Sequence, residues 1–184
     1  AHALVNEMMK SPQLAEATAL SLMGCMMQAA TLGLEIGSAL GHAYPVPRWD
    51  SKLNAKVASL QIGYKGFIAL AGRSDKVASF DAHVVYEGDT FDIDLGSSPK
   101  VTHKPAMKGV RENPIGYYAV LKTSANGTQV RWMTQAEMVA HRNRYADAKS
   151  TPWNKQFEEM GRKTVLRALS KYTPISVELS TAAS

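Results

Sequence analysis

Cysteine is nearly absent from this chain: Cys25 stands alone among 184 residues, so no internal disulfide can form. A disulfide-built secreted scaffold is excluded, and a reducing cytoplasm is the expected setting. Cys25 lies in an apolar stretch with nothing nearby to lower its pKa, and it reads as a buried thiol rather than a nucleophile. Long hydrophobic runs are missing too. The longest apolar stretch, Ala17 to Leu34, is interrupted by Ser21, Gly24, Gln28 and Gly33 and falls short of a bilayer span. No GxxxxGK[ST] phosphate loop occurs, which argues against an ATP-driven motor, and no GxSxG elbow occurs. His2, His42, His83, His103 and His141 are scattered, with no pair at metal-ligand spacing, so neither cofactor nor metal is expected. Acidic residues are dense only at Glu87, Asp89, Asp92 and Asp94. A metal-dependent nuclease would need such a group. Asp92 and Asp94, however, alternate with Phe91, Ile93 and Leu95 and read as the wet face of a strand, with Glu87 and Asp89 near the preceding turn. The nuclease remains the alternative from another functional class.

Hydrophobic residues make up 45% of the chain, enough for one real core, and a single domain over residues 1–184 is expected. The chain starts Ala1-His2 without an initiator methionine, which reads as a piece trimmed from a longer protein. The formal charge is +5, and its distribution is uneven. Residues 1–75 carry six basic and five acidic residues, 76–133 seven and six, and 134–184 eight and five. The excess therefore collects at the C-terminal end, favouring a polyanionic partner, with nucleic acid first and a membrane surface second.

Periodicity predicts a short helix at Leu4–Lys10, a restart at Ser11-Pro12, and a longer helix from about Thr18 to Leu32 buried on more than one side. Its dense methionines read as core filling. Gly33, Gly37 and Gly41 open an irregular link into an extended segment, Ala43–Arg48, then a turn at Asp50–Asn54 and a strand at Val57–Ile62. This is a hairpin with a polar, cationic tip. A helix follows at Gly63–Arg73, then strands at Val77–Tyr86 and Thr90–Leu95, a long polar connection at Gly96–Asn113, and a hairpin of Ile115–Lys122 with Thr128–Met133 across Asn126-Gly127. Thr134 and Glu137 form a capping box opening a helix to about Tyr145. The fold class is α+β: N-terminal helices and a β-hairpin, a central antiparallel-type sheet backed by helices, and two C-terminal helices.

The second of these, from about Asn154 to Tyr172, places Phe157, Met160, Thr164, Val165, Ala168 and Tyr172 on one apolar arc. Lys163, Arg167 and Lys171 recur at i, i+4 and i+8 along its border, while Glu158 and Glu159 occupy the first turn. Dipole complementarity and an anion-binding stripe both account for that pattern. Elsewhere cations interleave with aromatics: Tyr64 with Lys65, Arg131 with Trp132, Arg142 and Arg144 with Tyr145, Lys149 with Trp153. Cations neutralise phosphates and planar rings stack on bases, a mixture suited to single strands.

Six blocks carry a resemblance covering nearly the whole chain: LGLEIGSALGHAY (Leu32–Tyr44), LQIGYKGFIALAGRS (Leu60–Ser74), VVYEGDTF (Val84–Phe91), HKPA (His103–Ala106), PIGYYAV (Pro114–Val120) and EEMGRKTVLRALSKYTPIS (Glu158–Ser176). In this order they resemble the RecT family of phage single-strand annealing recombinases. The resemblance implies ATP-independent binding of single-stranded DNA, annealing of complementary strands, and assembly into rings or filaments without a catalytic site. It also implies a bacterial host cytoplasm, distant fold kinship with eukaryotic annealing proteins, and partnership with a 5′-to-3′ exonuclease or a host single-strand-binding protein. A non-enzymatic scaffold that recruits such a partner, with DNA contact incidental, stands beside the nuclease as a further alternative. Carried onto this sequence, it implies a DNA groove between the hairpin and Gly63 helix on one side and the C-terminal helices on the other. The groove residues would be Gln61, Tyr64, Lys65, Arg73, Lys104, Arg142, Arg144, Lys149, Trp153, Lys163, Arg167 and Lys171. Ile36 stands where the family often has proline and Pro45 where it has an aliphatic residue; the Arg48–Lys56 hairpin varies, and its tip is not assigned contacts.

Overall fold

The computed structural model describes residues 2–37, 40–109, 111–146 and 150–171. The fold is α+β, as expected. In chain order the elements are α1 (His2–Lys10), α2 (Pro12–Ala15), α3 (Ala19–Thr31), β1 (Ala43–Asp50), β2 (Ala55–Ile62), α4 (Tyr64–Ala71), β3 (Val77–Tyr86), β4 (Thr90–Asp94), β5 (Lys100–Lys104), β6 (Pro114–Thr123), β7 (Thr128–Thr134), α5 (Gln135–Tyr145), α6 (Thr151–Lys155) and α7 (Phe157–Ser170). They form two compact units, residues 1–70 and 71–184.

In the first unit the antiparallel β1–β2 hairpin, in register from Ala43 opposite Ile62 to Asp50 opposite Ala55, is covered by the N-terminal helices. Leu4, Leu14, Ala17, Leu22, Cys25 and Ala58 make the core, with Met8, Met26 and Leu60 packed on it. Thr18 caps α3, accepting from the Ser21 amide, and its own amide donates to the Lys56 carbonyl at 3.0 Å. Ser21 Oγ accepts from the Ala58 amide at 2.9 Å, so two hydroxyl residues pin the start of α3 onto β2. The helix is buried on one side only. Leu22, Cys25 and Ala29 face inward, whereas Leu20, Met23 and Met27 are 82%, 59% and 69% exposed. Composition cannot separate the two faces, because both are apolar. The hairpin tip differs from expectation as well: Trp49 and Leu53 stand exposed among Arg48 and Lys52, and Asp50 Oδ1 sets the turn by accepting from the Lys52 and Leu53 amides. At the other end of the hairpin, Gly66 of α4 lies against the His42 carbonyl so closely that a Cβ there would sit 2.2 Å from the oxygen. A glycine is therefore required in this block.

The second unit is built on the antiparallel sheet β3-β6-β7. Strand β6 is buried at Gly116, Tyr117, Tyr118, Ala119 and Leu121, and consecutive residues point to opposite faces, so both faces of the sheet are covered. Helix α7 packs over the Tyr117 face. On the Tyr118 face lies a separate antiparallel ribbon, β4–β5, whose Phe91 stacks on Trp132 of β7 at 4.7 Å and lies 5.5 Å from Tyr118. Strand β5 falls inside what sequence reading takes as a polar connection. Its five residues are too short and polar to signal by themselves, and it forms because β4 offers a partner, with Asp94 opposite Lys100 at one end. The predicted C-terminal helix is also broken in two at Gln156 (φ −138°, ψ 48°). No glycine or proline marks that break. The turn lets Trp153 of α6 meet Phe157 of α7 edge to face, with ring centroids 5.3 Å apart. No helix among the described residues is long and apolar enough to cross a membrane.

Candidate nucleic-acid interface

Helix α5 begins with the expected capping box, Thr134 Oγ1 accepting from the Glu137 amide and Glu137 accepting from the Thr134 amide at 2.8 Å. That start fixes which residues fall in the last turn: His141, Arg142, Arg144 and Tyr145. Arg142 lies over the Phe157 ring at 5.7 Å, with its guanidinium donating to Asn143 Oδ1. Arg144 lies 6.0 Å from the Tyr145 ring. His141 sits between Tyr145 at 4.8 Å and Trp153 at 6.2 Å. Burial, and after it the nearby charge of Arg167, holds the His141 imidazole below its ordinary pKa. The end of α5, α6 and both ends of α7 therefore converge through His141, Arg142, Trp153, Phe157 and Arg167, with Arg144 beside Tyr145 on the last turn of α5.

On α7 the buried residues are Gly161, Val165, Leu166, Leu169 and Ser170. At about 100° per residue, this arc is turned by roughly a third of a circle from the one predicted by hydrophobicity. Met160, Thr164, Phe157 and Ala168 are only half-buried, and Tyr172 lies outside the described residues. The rotation follows from Gly161: with no side chain, it alone lets the helix settle on the Tyr117 ring. The cationic stripe still borders the buried arc. Lys163 is half-buried, and Arg167 and Lys171 are exposed. The neighbouring Arg162 has a different job, pairing with Glu159 at 2.6 Å beside the Glu158 that accepts from the Tyr86 hydroxyl at 2.7 Å. Burial and that hydrogen bond push Tyr86 up to about 12.

Trp153 is 7% exposed, which makes its indole a packing element of this cluster. Lys104 is exposed at the end of β5, on the ribbon that covers the sheet face opposite α7, so the structure does not bring it to the helical stripe. Arg73 is exposed just after α4. Gln61, Tyr64 and Lys65 belong to the first unit, at the β2–α4 corner, where Gln61 pairs in register with Tyr44 and Lys65 is exposed. Lys149 lies outside the described residues.

The acidic group does not gather. Asp92 and Asp94 are exposed on β4, as the strand reading has it, and Glu87 accepts from the Asn113 amide group at 3.4 Å. Asp89 is fully committed elsewhere. It accepts from the amides of Tyr86 and Ala106, from Arg111 at 2.8 Å, and pairs with His103 Nε2 at 3.0 Å. Burial alone would raise its pKa, but these hydrogen bonds outweigh it and hold the carboxyl well below the usual carboxylate range. His103 Nδ1 meets the Tyr118 hydroxyl at 3.3 Å, so this histidine, beside Lys104, braces the ribbon rather than facing solvent. Among the described residues no group of three or more His, Cys, Asp or Glu side chains is placed to hold a metal ion.

Compared with known proteins, residues 2–184 match the RecT family. The chain is 39% identical to Protein RecT of Escherichia coli (strain K12) over 181 residues, covering 97% of this chain and 66% of that protein. It is 30% identical to the uncharacterized protein YqaK of Bacillus subtilis (strain 168) over 167 residues, 89% of this chain and 55% of that one. The chain thus spans a little under two thirds of the length of the first relative and just over half of the second.

Proposed function

Because the chain belongs to the RecT family, we propose that it binds single-stranded DNA and anneals complementary strands without ATP, working as an oligomer that carries one strand along a row of protomers. The observation that supports this most is that Arg142 and Arg167 meet around the α5–α6–α7 aromatic cluster, with Arg144 on the same turn of α5 and Lys163 and Lys171 along the same edge of α7, within a family-matched sequence. Cations on fixed helical scaffolds neutralise a phosphate backbone while leaving bases free. Watson–Crick pairing with a second strand then supplies both sequence selection and driving force, and no catalytic residue is needed. Lys65, Arg73, Gln61 and Tyr64 are further strand contacts, Lys149 extends the set, Lys104 on the opposite ribbon stays outside it, and Trp153 acts from beneath as packing.

Each protomer holds its few nucleotides weakly, and many protomers on one strand hold it tightly through effective concentration. Self-association then follows as a requirement, and the exposed, uncharged face of α3 (Leu20, Met23, Met27) supplies surface for protomer contacts. An exonuclease supplying single strands and a host single-strand-binding protein are the partners such a role calls for. The test is annealing of complementary oligonucleotides without ATP. Wild-type protein that fails to anneal overturns the function, and a Lys163→Gln/Arg167→Gln variant that anneals normally overturns the stripe. DNA cleavage in magnesium would instead revive the nuclease.

A further inference from the structure

The α5–α6–α7 cluster contains an aromatic run that charge neutralisation leaves unused. Phe157 meets Trp153 at 5.3 Å, Trp153 approaches His141 at 6.2 Å, and His141 meets Tyr145 at 4.8 Å. Exposure rises outward along the run, from 7% at Trp153 through the half-buried His141 to 71% at Tyr145. An aromatic ring this exposed on a helix is held in water at a cost in hydration, yet it is braced from behind by a second ring that is itself anchored in the packed interior. Bracing restricts the side chain's rotamers, so little freedom remains to be lost when something settles on its open face.

The surroundings narrow the chemistry of that occupant. Arg144 lies 6.0 Å from the Tyr145 ring, Arg142 sits on the same helical turn over Phe157, and the charge of Arg167 reaches His141 from α7. An apolar protein side chain has no use for one guanidinium beside the ring and two more beside the rings behind it, and a bare phosphate has no use for the ring. A ligand that is both planar and attached to negative charge uses both, and a nucleobase on its phosphodiester backbone is such a ligand.

We propose that Tyr145 is a stacking platform for an unpaired DNA base, braced by His141, with Arg142, Arg144 and Arg167 taking the phosphates on either side. The proposal rests on the single-strand-binding reading above and goes beyond it by assigning a base contact to a residue outside the expected set. Bases in a duplex already stack on each other, so the platform favours the unpaired strand over the annealed product.

The test compares a fluorescent oligothymidylate with an abasic phosphodiester of the same length and charge, by anisotropy, for wild type, Tyr145→Phe, Tyr145→Leu and Tyr145→Ala. Wild type and Tyr145→Phe should prefer the base-bearing strand. Tyr145→Ala and Tyr145→Leu should lose roughly ten- to hundred-fold on oligothymidylate, with little change on the abasic strand and an unchanged salt slope. Tyr145→Leu keeps an apolar side chain of substantial size, so a loss in it reports the ring rather than a disturbed helix end. The proposal is overturned if both variants bind oligothymidylate like wild type, or if they lose equally on both strands. Wild type that binds neither strand overturns the single-strand reading itself, whereas wild type that binds both equally overturns the platform alone.

Discussion

Gly161 crosses the ring of Tyr117 so closely that a Cβ on it would lie 2.5 Å from the ring's Cε1. This contact sets the depth and rotation at which α7 meets the sheet, and with them the line along which Lys163, Arg167 and Lys171 emerge. Gly161→Ala gains about 1 kcal/mol in helix propensity and loses about 1–3 kcal/mol in overpacking against a rigid, buried ring. The expected outcome is a net loss of up to about 2 kcal/mol, read as a lower urea midpoint with unchanged slope. A midpoint at or above wild type would show that α7 shifts freely.

Asp89 should dominate the acid limb of the second unit's stability. Its folded pKa lies below the ordinary 3.8, so its contribution is fully present above that value and is lost as pH falls toward the folded one. Wild-type stability should therefore drop steeply below about pH 4. Asp89→Asn should be less stable at neutral pH, because one amide cannot accept from Tyr86, Ala106, Arg111 and His103 together, and its acid limb should be flatter. Urea midpoints measured from pH 7 down to pH 3 check both parts, and parallel curves for the two proteins would assign the acid limb to other groups.

Salt dependence separates cations that meet phosphate from cations that only face solvent. Each phosphate contact removed from a single strand should reduce the log–log salt slope by about 0.7, so Lys163→Gln/Arg167→Gln should reduce it by about 1.4. Lys104 lies on the ribbon across the sheet from α7, and Lys104→Gln should leave the slope within about 0.3 of wild type. Binding isotherms from low to moderate salt decide this, and a full 0.7 loss for Lys104→Gln would place DNA on the ribbon side as well.

Cys25 offers a probe confined to the first unit. It is 2% exposed on the buried face of α3, and burial raises its thiol pKa, so a thiol reagent should modify the folded protein only through opening of that unit. The labelling rate should rise with sub-denaturing urea and should be insensitive to Gly161→Ala. Immediate stoichiometric labelling in native buffer would contradict the packing of the helices on β1–β2.

The sequence by itself determined the elements whose signals are local. The capping box at Thr134 and Glu137, the Asn126-Gly127 turn and the alternation along β4 each involve residues close in the chain, and each appears where it is expected. The family-matched blocks and the basic C-terminal end, which point to nucleic acid, were legible in the same way. Only tertiary structure decided the rest. Strand β5 exists because β4 pairs with it, and the break at Gln156 exists because Trp153 must reach Phe157 and His141. The buried arc of α7 turns because Gly161 meets Tyr117, and the acids part because Asp89 serves four partners around the ribbon. Tyr145 became conspicuous only when its ring proved exposed and braced; in the sequence it is one aromatic beside one arginine. In each case the deciding partner lies elsewhere in the chain, and periodicity reports which residues are apolar, not which of them a distant ring or carboxylate will meet.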